Sequence, residues 1–149
     1  YHFDFYRIDD PQEAIDLGIH YVSLDELMKQ SDIVSLHLPL NDETKNTLTR
    51  EKLALMKESA VLINAARGPI IDNDALAELL NDGKIAGAGI DVFDMEPPIP
   101  ADYPLLHAKN AVLTPHVAYL TDESMVTRAH IAFDNVEKFI AGNPQNIVK

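Results

Sequence analysis

Residues 60–93 read AVLINAARGPIIDNDALAELLNDGKIAGAGIDVF, and this stretch decides the fold. It contains two apolar runs, at residues 60–64 and 85–92, separated by a segment whose leucines recur at helical spacing. Asp72 can cap that helix and Gly83 can end it. A strand, a helix and a second strand in this order form a βαβ unit, in which the two strands run parallel.

The same alternation of apolar runs and amphipathic stretches extends along the rest of the chain. Helices are predicted after three N-cap residues: Ser23, which forms a capping box with Glu26, Thr49, and Thr121. Strands are predicted at residues 1–7, 20–22, 32–38 and 111–114, with a short helix at residues 11–17. We therefore expect an α/β fold, a Rossmann-like and mostly parallel sheet with helices on both faces.

Small residues fill the start of the second apolar run, where Ala86, Gly87, Ala88 and Gly89 follow one another. Such residues weaken a strand unless something approaches its backbone closely, either a packed helix or a flat ligand. Both explanations predict a strand in the centre of the sheet.

Composition limits the classes of function. A chain of 149 residues with 46% hydrophobic residues can bury the core of one domain. The net charge of −12 repels a phosphate backbone, so no nucleic acid partner is expected. No apolar run approaches the ~18–20 residues that span a bilayer, so no membrane partner is expected either. The lack of cysteine and of an export-signal layout at Tyr1 predicts a cytoplasmic protein.

Three residues that follow apolar runs carry candidate chemistry: Arg67, Glu96 and His116. In open α/β sheets, ligands bind beyond the carboxyl ends of the strands. Arginine offers a planar fork of donors that fits a carboxylate, and histidine can carry a proton near neutral pH. Each residue alone has a plainer explanation: a solvated turn arginine, a polar loop glutamate or a buried histidine. The other histidines have no metal-ligand spacing, so no metal site is predicted.

Four sequence blocks occur in an order that identifies a resemblance: DIVSLHLPL at 32–40, LINAARG at 62–68, GKIAGAGIDVF followed by EPP at 83–98, and LTPH at 113–116. From about Gly18 onward, the chain resembles the NAD-binding domain of the D-isomer-specific 2-hydroxyacid dehydrogenases. That family includes enzymes of the 3-phosphoglycerate and hydroxypyruvate/glyoxylate type.

The resemblance implies an oxidoreductase that reduces a 2-keto acid to a D-2-hydroxy acid by hydride transfer. Arg67 would bind the substrate carboxylate, and His116 would be the general acid and base. Glu96 would hydrogen-bond the far ring nitrogen of His116, which favours the imidazolium and fixes the tautomer. The partner is then a small 2-keto or 2-hydroxy acid. Family members are commonly dimers, so a homodimer is possible, and the oligomeric state stays open.

The resemblance also implies NAD as the cofactor, although the choice between NAD and NADP stays open. Asp91 would accept a hydrogen bond from the nicotinamide carboxamide, whereas without the resemblance a turn or helix-cap aspartate is the better interpretation. The cofactor-binding residues implied are Pro39, Thr44, Ala65, Ala66, Arg67, Asp91, His116 and Ala118.

The chain departs from the family in one motif. The sequence contains no Gly-x-Gly-x-x-Gly turn, which in a dinucleotide-binding domain leads into the helix that holds the pyrophosphate. We therefore expect residues 1–149 to form a partial NAD-binding domain that lacks the first βα unit, preceded in the parent protein by a substrate domain.

The origin of residues 1–17 is uncertain, because residues 1–13 resemble a segment of the P-loop ATPase of bacterial tRNA threonylcarbamoyl biosynthesis. Two functions remain open. The chain is either part of a dehydrogenase, inactive or nearly so in isolation, or a non-catalytic α/β module, rebuilt or truncated, that retains the motif without activity.

Overall fold

A four-stranded parallel sheet forms the centre of the computed structural model, which describes Gly18 and residues 20–95 and 98–147. The strands are β1 (Ile33–Leu36), β2 (Val61–Asn64), β3 (Gly87–Ile90) and β4 (Ala111–Leu113), and they lie side by side in that order. All three pairings are parallel, and their register aligns the carboxyl ends of the strands in one row, formed by Leu36, Asn64, Ile90 and Leu113.

Within the described residues, four α-helices accompany the strands: α1 (Leu24–Gln30), α2 (Arg50–Leu53), α3 (Asn73–Asn81) and α4 (Asp122–Ile140). Two 3₁₀ turns follow β2 and β3, at Gly68–Ile70 and Pro104–His107. All four N-caps are those predicted, namely Ser23 with its capping box, Thr49, Asp72 and Thr121. The predicted fold class, a Rossmann-like α/β fold with a parallel sheet, is confirmed.

The strands differ from the sequence expectation in extent. Residues 20–22 form no strand, so that prediction is wrong. Among the described residues, β1 pairs only with β2. The predicted strand at 32–38 ends at Leu36, because the chain leaves the sheet there. The strand predicted at 1–7 and the helix at 11–17 lie outside the described residues.

The small residues of β3 fit a central strand, as predicted, since β3 lies between β2 and β4. A Cβ on Gly89 would lie 3.0 Å from Cδ1 of Ile63, and one on Gly87 would lie 3.0 Å from the carbonyl oxygen of Asn110. Neighbouring side chains and loops therefore approach this backbone. The core includes fully buried side chains from the strands, the helices and their connections: Met28, Leu48, Leu53, Leu62, Ile70, Leu76, Leu80, Ile85, Ile90 and Leu105.

The chain divides into two compact units, residues 1–116 and 117–149. The first contains the sheet and helices α1 to α3, and the second contains α4. Helix α4 exposes large apolar side chains, among them Phe133, Phe139 and Ile140. Within the part of the chain that the structure describes, no helix has both the length and the apolar character to cross a bilayer.

Candidate functional site

Backbone hydrogen bonds tie together the loops that leave β2, β3 and β4. The amide of Asp91 donates to the carbonyl of Asn64 over 2.9 Å, and the amide of Thr114 donates to the carbonyl of Ile90 over 3.0 Å. The amide of His116 in turn donates to the carbonyl of Asp91 over 2.9 Å. The three loops therefore form one connected surface at the carboxyl edge of the sheet, where α/β folds bind ligands.

The first of these loops is shaped by Asn64, a fully buried residue at the end of β2. Its Nδ2 donates to the carbonyl of Arg67 over 3.0 Å, and its Oδ1 accepts from the amide of Ala66 over 3.0 Å. Nη1 of Arg67 donates to the carbonyl of Ala66 over 2.6 Å, while Arg67 and Ala65 are exposed. Sequence reasoning assigned Asn64 no role, although an amide closing an otherwise apolar run was the available signal.

The next residue, Gly68, packs against the loop after β3. A Cβ added there would lie 1.9 Å from the carbonyl carbon and oxygen of Phe93 and 2.4 Å from the amide nitrogen of Asp94. The carbonyl of Gly68 accepts from Nδ2 of buried Asn73 over 3.2 Å. Gly68, the residue after Arg67, is thus held by the Phe93–Asp94 backbone and by the side chain of Asn73.

Asp91 is a buried carboxylate with a structural partner. Its Oδ1 accepts from the hydroxyl of Thr114 over 2.5 Å, so the side chain joins the end of β3 to the end of β4. This contact agrees with the plainer interpretation of Asp91 as a loop aspartate. The predicted hydrogen bond to a nicotinamide carboxamide stays a prediction.

His116 has a left-handed backbone conformation, with φ of 57°. A non-glycine residue in this region costs roughly 1–3 kcal/mol, and such residues concentrate at functional sites. The side chain is exposed, and the bond from its amide to Asp91 fixes the backbone. His116, the residue predicted from the sequence to be the proton carrier, therefore has a strained backbone.

The remaining predicted residues are placed as follows. The hydroxyl of Thr44 donates to the carbonyl of Pro39 over 2.6 Å, which closes the turn after β1. Ala118 is exposed and belongs to the second compact unit. Glu96 lies outside the described residues. The structure therefore brings Ala65, Ala66, Arg67, Asp91 and His116 to three connected loops and Pro39 and Thr44 to the loop after β1.

The connected loops present one small exposed side chain, Ala65, and two exposed polar ones, Arg67 and His116. The pyrophosphate needs the glycine-rich turn, which the sequence does not contain. Among the described residues, no three histidine, aspartate or glutamate side chains are grouped so that they could hold a metal ion.

A second concave region lies along β1. It is an apolar cavity of about 200 Å³, lined by Leu27, Leu36 and Ile70 among others, and Oγ of Ser35 lies 2.8 Å from Nε2 of His37 at its wall. A large apolar cavity is the usual first candidate for a ligand site. Its lining includes none of the residues implied for catalysis, so we take the connected loops as the candidate site.

Tyr103 approaches the loop after β3 from the 3₁₀ turn that follows it. Its hydroxyl donates to Oδ1 of Asp94 over 2.8 Å, and its ring packs edge-on against Phe93, with centroids 5.8 Å apart. Burial, and then the bond to Asp94, raises the pKa of Tyr103 above its ordinary value, and the charge of Asp74 acts in the same direction. The tyrosine is therefore kept neutral.

This raised pKa predicts a loss of stability in alkali. The unfolded tyrosine ionises near pH ~10 and the folded one at higher pH, so its contribution is complete below pH ~10 and falls as pH rises further. The free energy of unfolding of the native chain, minus that of Tyr103→Phe, should decline between about pH 10 and pH 12. Urea titrations of both proteins measure it, and a constant difference would contradict the assignment.

Comparison with known proteins gives one family. The family model described as "D-isomer specific 2-hydroxyacid dehydrogenase, NAD binding domain" matches residues 2–118. This match includes most of residues 1–17, whose origin the sequence left open.

Two individual relatives carry names that agree with this family. A hydroxypyruvate reductase of Blautia hydrogenotrophica is 45% identical over 128 residues, covering 86% of this chain and 39% of the relative. A glyoxylate reductase of Korarchaeum cryptofilum is 43% identical over 148 residues, covering 99% of this chain and 44% of the relative.

A solved structure has the same fold. The NAD-complexed D-isomer specific 2-hydroxyacid dehydrogenase of Lactobacillus delbrueckii ssp. bulgaricus superposes with a TM-score of 0.82 at 34% identity, covering 98% of this chain and 47% of that one. The chain thus spans less than half the length of these proteins.

Proposed function

Because the chain belongs to the D-isomer-specific 2-hydroxyacid dehydrogenase family and matches its NAD-binding domain, we propose that the whole protein reduces a small 2-keto acid to a D-2-hydroxy acid. The observation that carries the proposal is the connection of the Arg67, Asp91 and His116 loops by backbone hydrogen bonds. The relatives named for hydroxypyruvate and glyoxylate reduction support a substrate of that size.

Arg67 binds the substrate carboxylate in this proposal. Its guanidinium is exposed beside Ala65, and Asn64 and Gly68 fix the backbone on either side of it. A planar fork of donors can bond both carboxylate oxygens, which orients the keto carbon as well as holding the acid. The binding of a small anion also suits the positive charge of this loop.

His116 moves the proton. As the imidazolium, it donates a proton to the keto oxygen while carbon accepts a hydride, and in the reverse direction it takes the hydroxyl proton back. Glu96 would accept a hydrogen bond from the other ring nitrogen and favour the charged form. The strained backbone at His116 and its bond to Asp91 hold the ring's point of attachment in place.

When bound, the nicotinamide cofactor supplies or accepts the hydride. We propose that Pro39, Thr44, Ala65, Ala66, Arg67, Asp91, His116 and Ala118 contact it. Asp91 already accepts from Thr114, and the same carboxylate group would orient the carboxamide. NAD fits the family, whose domain is an NAD-binding domain.

The 149-residue chain alone should bind NADH weakly, because its sequence lacks the glycine-rich turn for the pyrophosphate. We expect a dissociation constant above about 1 mM by isothermal titration calorimetry. The matching control is the full-length hydroxypyruvate reductase relative under the same conditions. Micromolar binding by the chain alone would contradict the prediction.

A chimera tests the reaction. The matching segment of this chain replaces the corresponding part of the Blautia hydroxypyruvate reductase, which supplies the residues that lie outside the match. NADH oxidation with hydroxypyruvate or glyoxylate is expected. A folded chimera that binds NADH but turns over neither acid would favour the alternative, a non-catalytic α/β module.

Homodimer formation and a cytoplasmic location stay predictions from the sequence.

A further inference from the structure

The loop after β3 is held by a side chain to which the reaction gives no role. Tyr103 is 6% exposed, and it joins the loop through the bond from its hydroxyl to Asp94 and the edge contact of its ring with Phe93. The first contact is made to the side chain of Asp94 and the second to the ring of Phe93, two adjacent residues of this loop.

The backbone of Tyr103 is held by hydrogen bonds on both sides. Its amide donates to the carbonyl of Pro100 over 3.0 Å, and its carbonyl accepts from the amide of Leu106 over 3.0 Å. The intervening Leu105 is fully buried in the core. The tyrosine ring is therefore attached to a turn anchored in the core, and it can restrain the loop that it contacts.

The peptide that joins Phe93 to Asp94 lies against Gly68. The backbone atoms of Phe93 and Asp94 approach Gly68 so closely that no Cβ fits between them. Any outward movement of the loop would remove this contact, and Gly68 directly follows Arg67. The backbone that follows Arg67 and the loop after β3 are thus in contact through one peptide unit.

We propose that Tyr103 is a positioning residue, which clamps the Phe93–Asp94 peptide against Gly68 and thereby sets the distance between the loop that carries Arg67 and the loop after β3. The role of Arg67 in this inference rests on the proposed function. Tyr103 touches neither substrate nor cofactor in the proposal, and its hydroxyl remains a neutral donor to the Asp94 carboxylate.

The mechanical part is tested in the 149-residue chain without any substrate. Tyr103→Phe keeps the ring and removes the hydrogen bond, which for a charged acceptor is expected to raise hydrogen exchange locally by about tenfold. The reporters are the amides of His116 and Ile71, bonded to Asp91 and Gly68 respectively. The amide of Ala88, within the sheet, should exchange at the native rate.

The chemical part is tested in the chimera. Tyr103→Phe should lower kcat for the keto acid by about tenfold and raise its KM, while the KM for NADH stays within about twofold. Asp94→Asn keeps an oxygen acceptor and should behave almost as the native protein. Asp94→Ala should match Tyr103→Phe, and the double variant should be no worse than either single one, because all three lose the same bond.

Tyr21→Phe, the same chemical change at a half-exposed tyrosine elsewhere in the chain, is the matched control and should leave the exchange of the His116 amide and the kcat of the chimera unchanged. Unchanged exchange at His116 and Ile71 would overturn the inference, whatever the kinetics. An equal increase in the exchange rate of the Ala88 amide would also overturn it, because that result would show general destabilisation of the sheet. If the native chimera has no turnover, the proposed reaction fails, while the exchange measurement still decides whether Tyr103 clamps the loop.

Discussion

Replacement of His116 by alanine in the chimera is expected to lower kcat by about 10²–10⁴-fold, the usual contribution of a positioned general acid. Without the imidazole, no side chain of the connected loops delivers a proton to the keto oxygen as the hydride reaches carbon. Arg67 still binds the carboxylate, so the KM for the keto acid should change by less than about threefold. Steady-state kinetics with hydroxypyruvate measure both quantities.

The left-handed backbone at His116 calls for a second variant. Alanine is strained in that conformation, whereas asparagine adopts it more readily than most residues. His116→Asn should therefore lose as much kcat as His116→Ala while retaining the native unfolding midpoint. His130→Ala, on the exposed surface of α4, is the control for loss of a histidine and should leave kcat unchanged. A His116→Asn protein with more than about a tenth of native kcat would contradict the proposed role.

The features predicted correctly from sequence are mainly local ones. The caps at Ser23, Thr49, Asp72 and Thr121 depend on residues within three positions, so the sequence contains all that is needed to recognise them. No strand forms at residues 20–22, and the local pattern could not show this, because strand pairing depends on residues far along the chain.

Some features of the candidate site could likewise be predicted from the sequence, and others could not. That Arg67, Asp91 and His116 follow strands could be predicted, because parallel strands end at one edge of a sheet. The roles of Thr114 and Tyr103 could not be predicted, since each acts through a hydrogen bond whose partner is determined by the loop conformation. Thr114 and Asp91 illustrate this, being 23 residues apart in sequence and joined by a 2.5 Å hydrogen bond.

Gly68→Ala is expected to lower the free energy of unfolding of the 149-residue chain by about 3 kcal/mol or more. The added methyl would lie 1.9 Å from backbone atoms of Phe93, and a backbone cannot move aside as a flexible side chain can. Either the loop after β3 or the loop carrying Arg67 must shift, so kcat in the chimera should also fall. Urea unfolding followed by far-ultraviolet circular dichroism gives the stability change.

Alanine substitutions at two other glycines distinguish a steric clash with backbone from the other possible causes of that loss of stability. A Cβ on Gly89 would meet only Cδ1 of Ile63 at 3.0 Å, which can rotate away, so Gly89→Ala should cost no more than about 1 kcal/mol. Gly83 has φ of 68° with open space around it, so Gly83→Ala should cost about 1–2 kcal/mol through backbone strain alone. If Gly68→Ala cost no more than these two, the close approach of the two loops would not be rigid. In that case Tyr103 could not position the loop that carries Arg67, because the proposed restraint requires a rigid contact between Gly68 and the Phe93–Asp94 peptide.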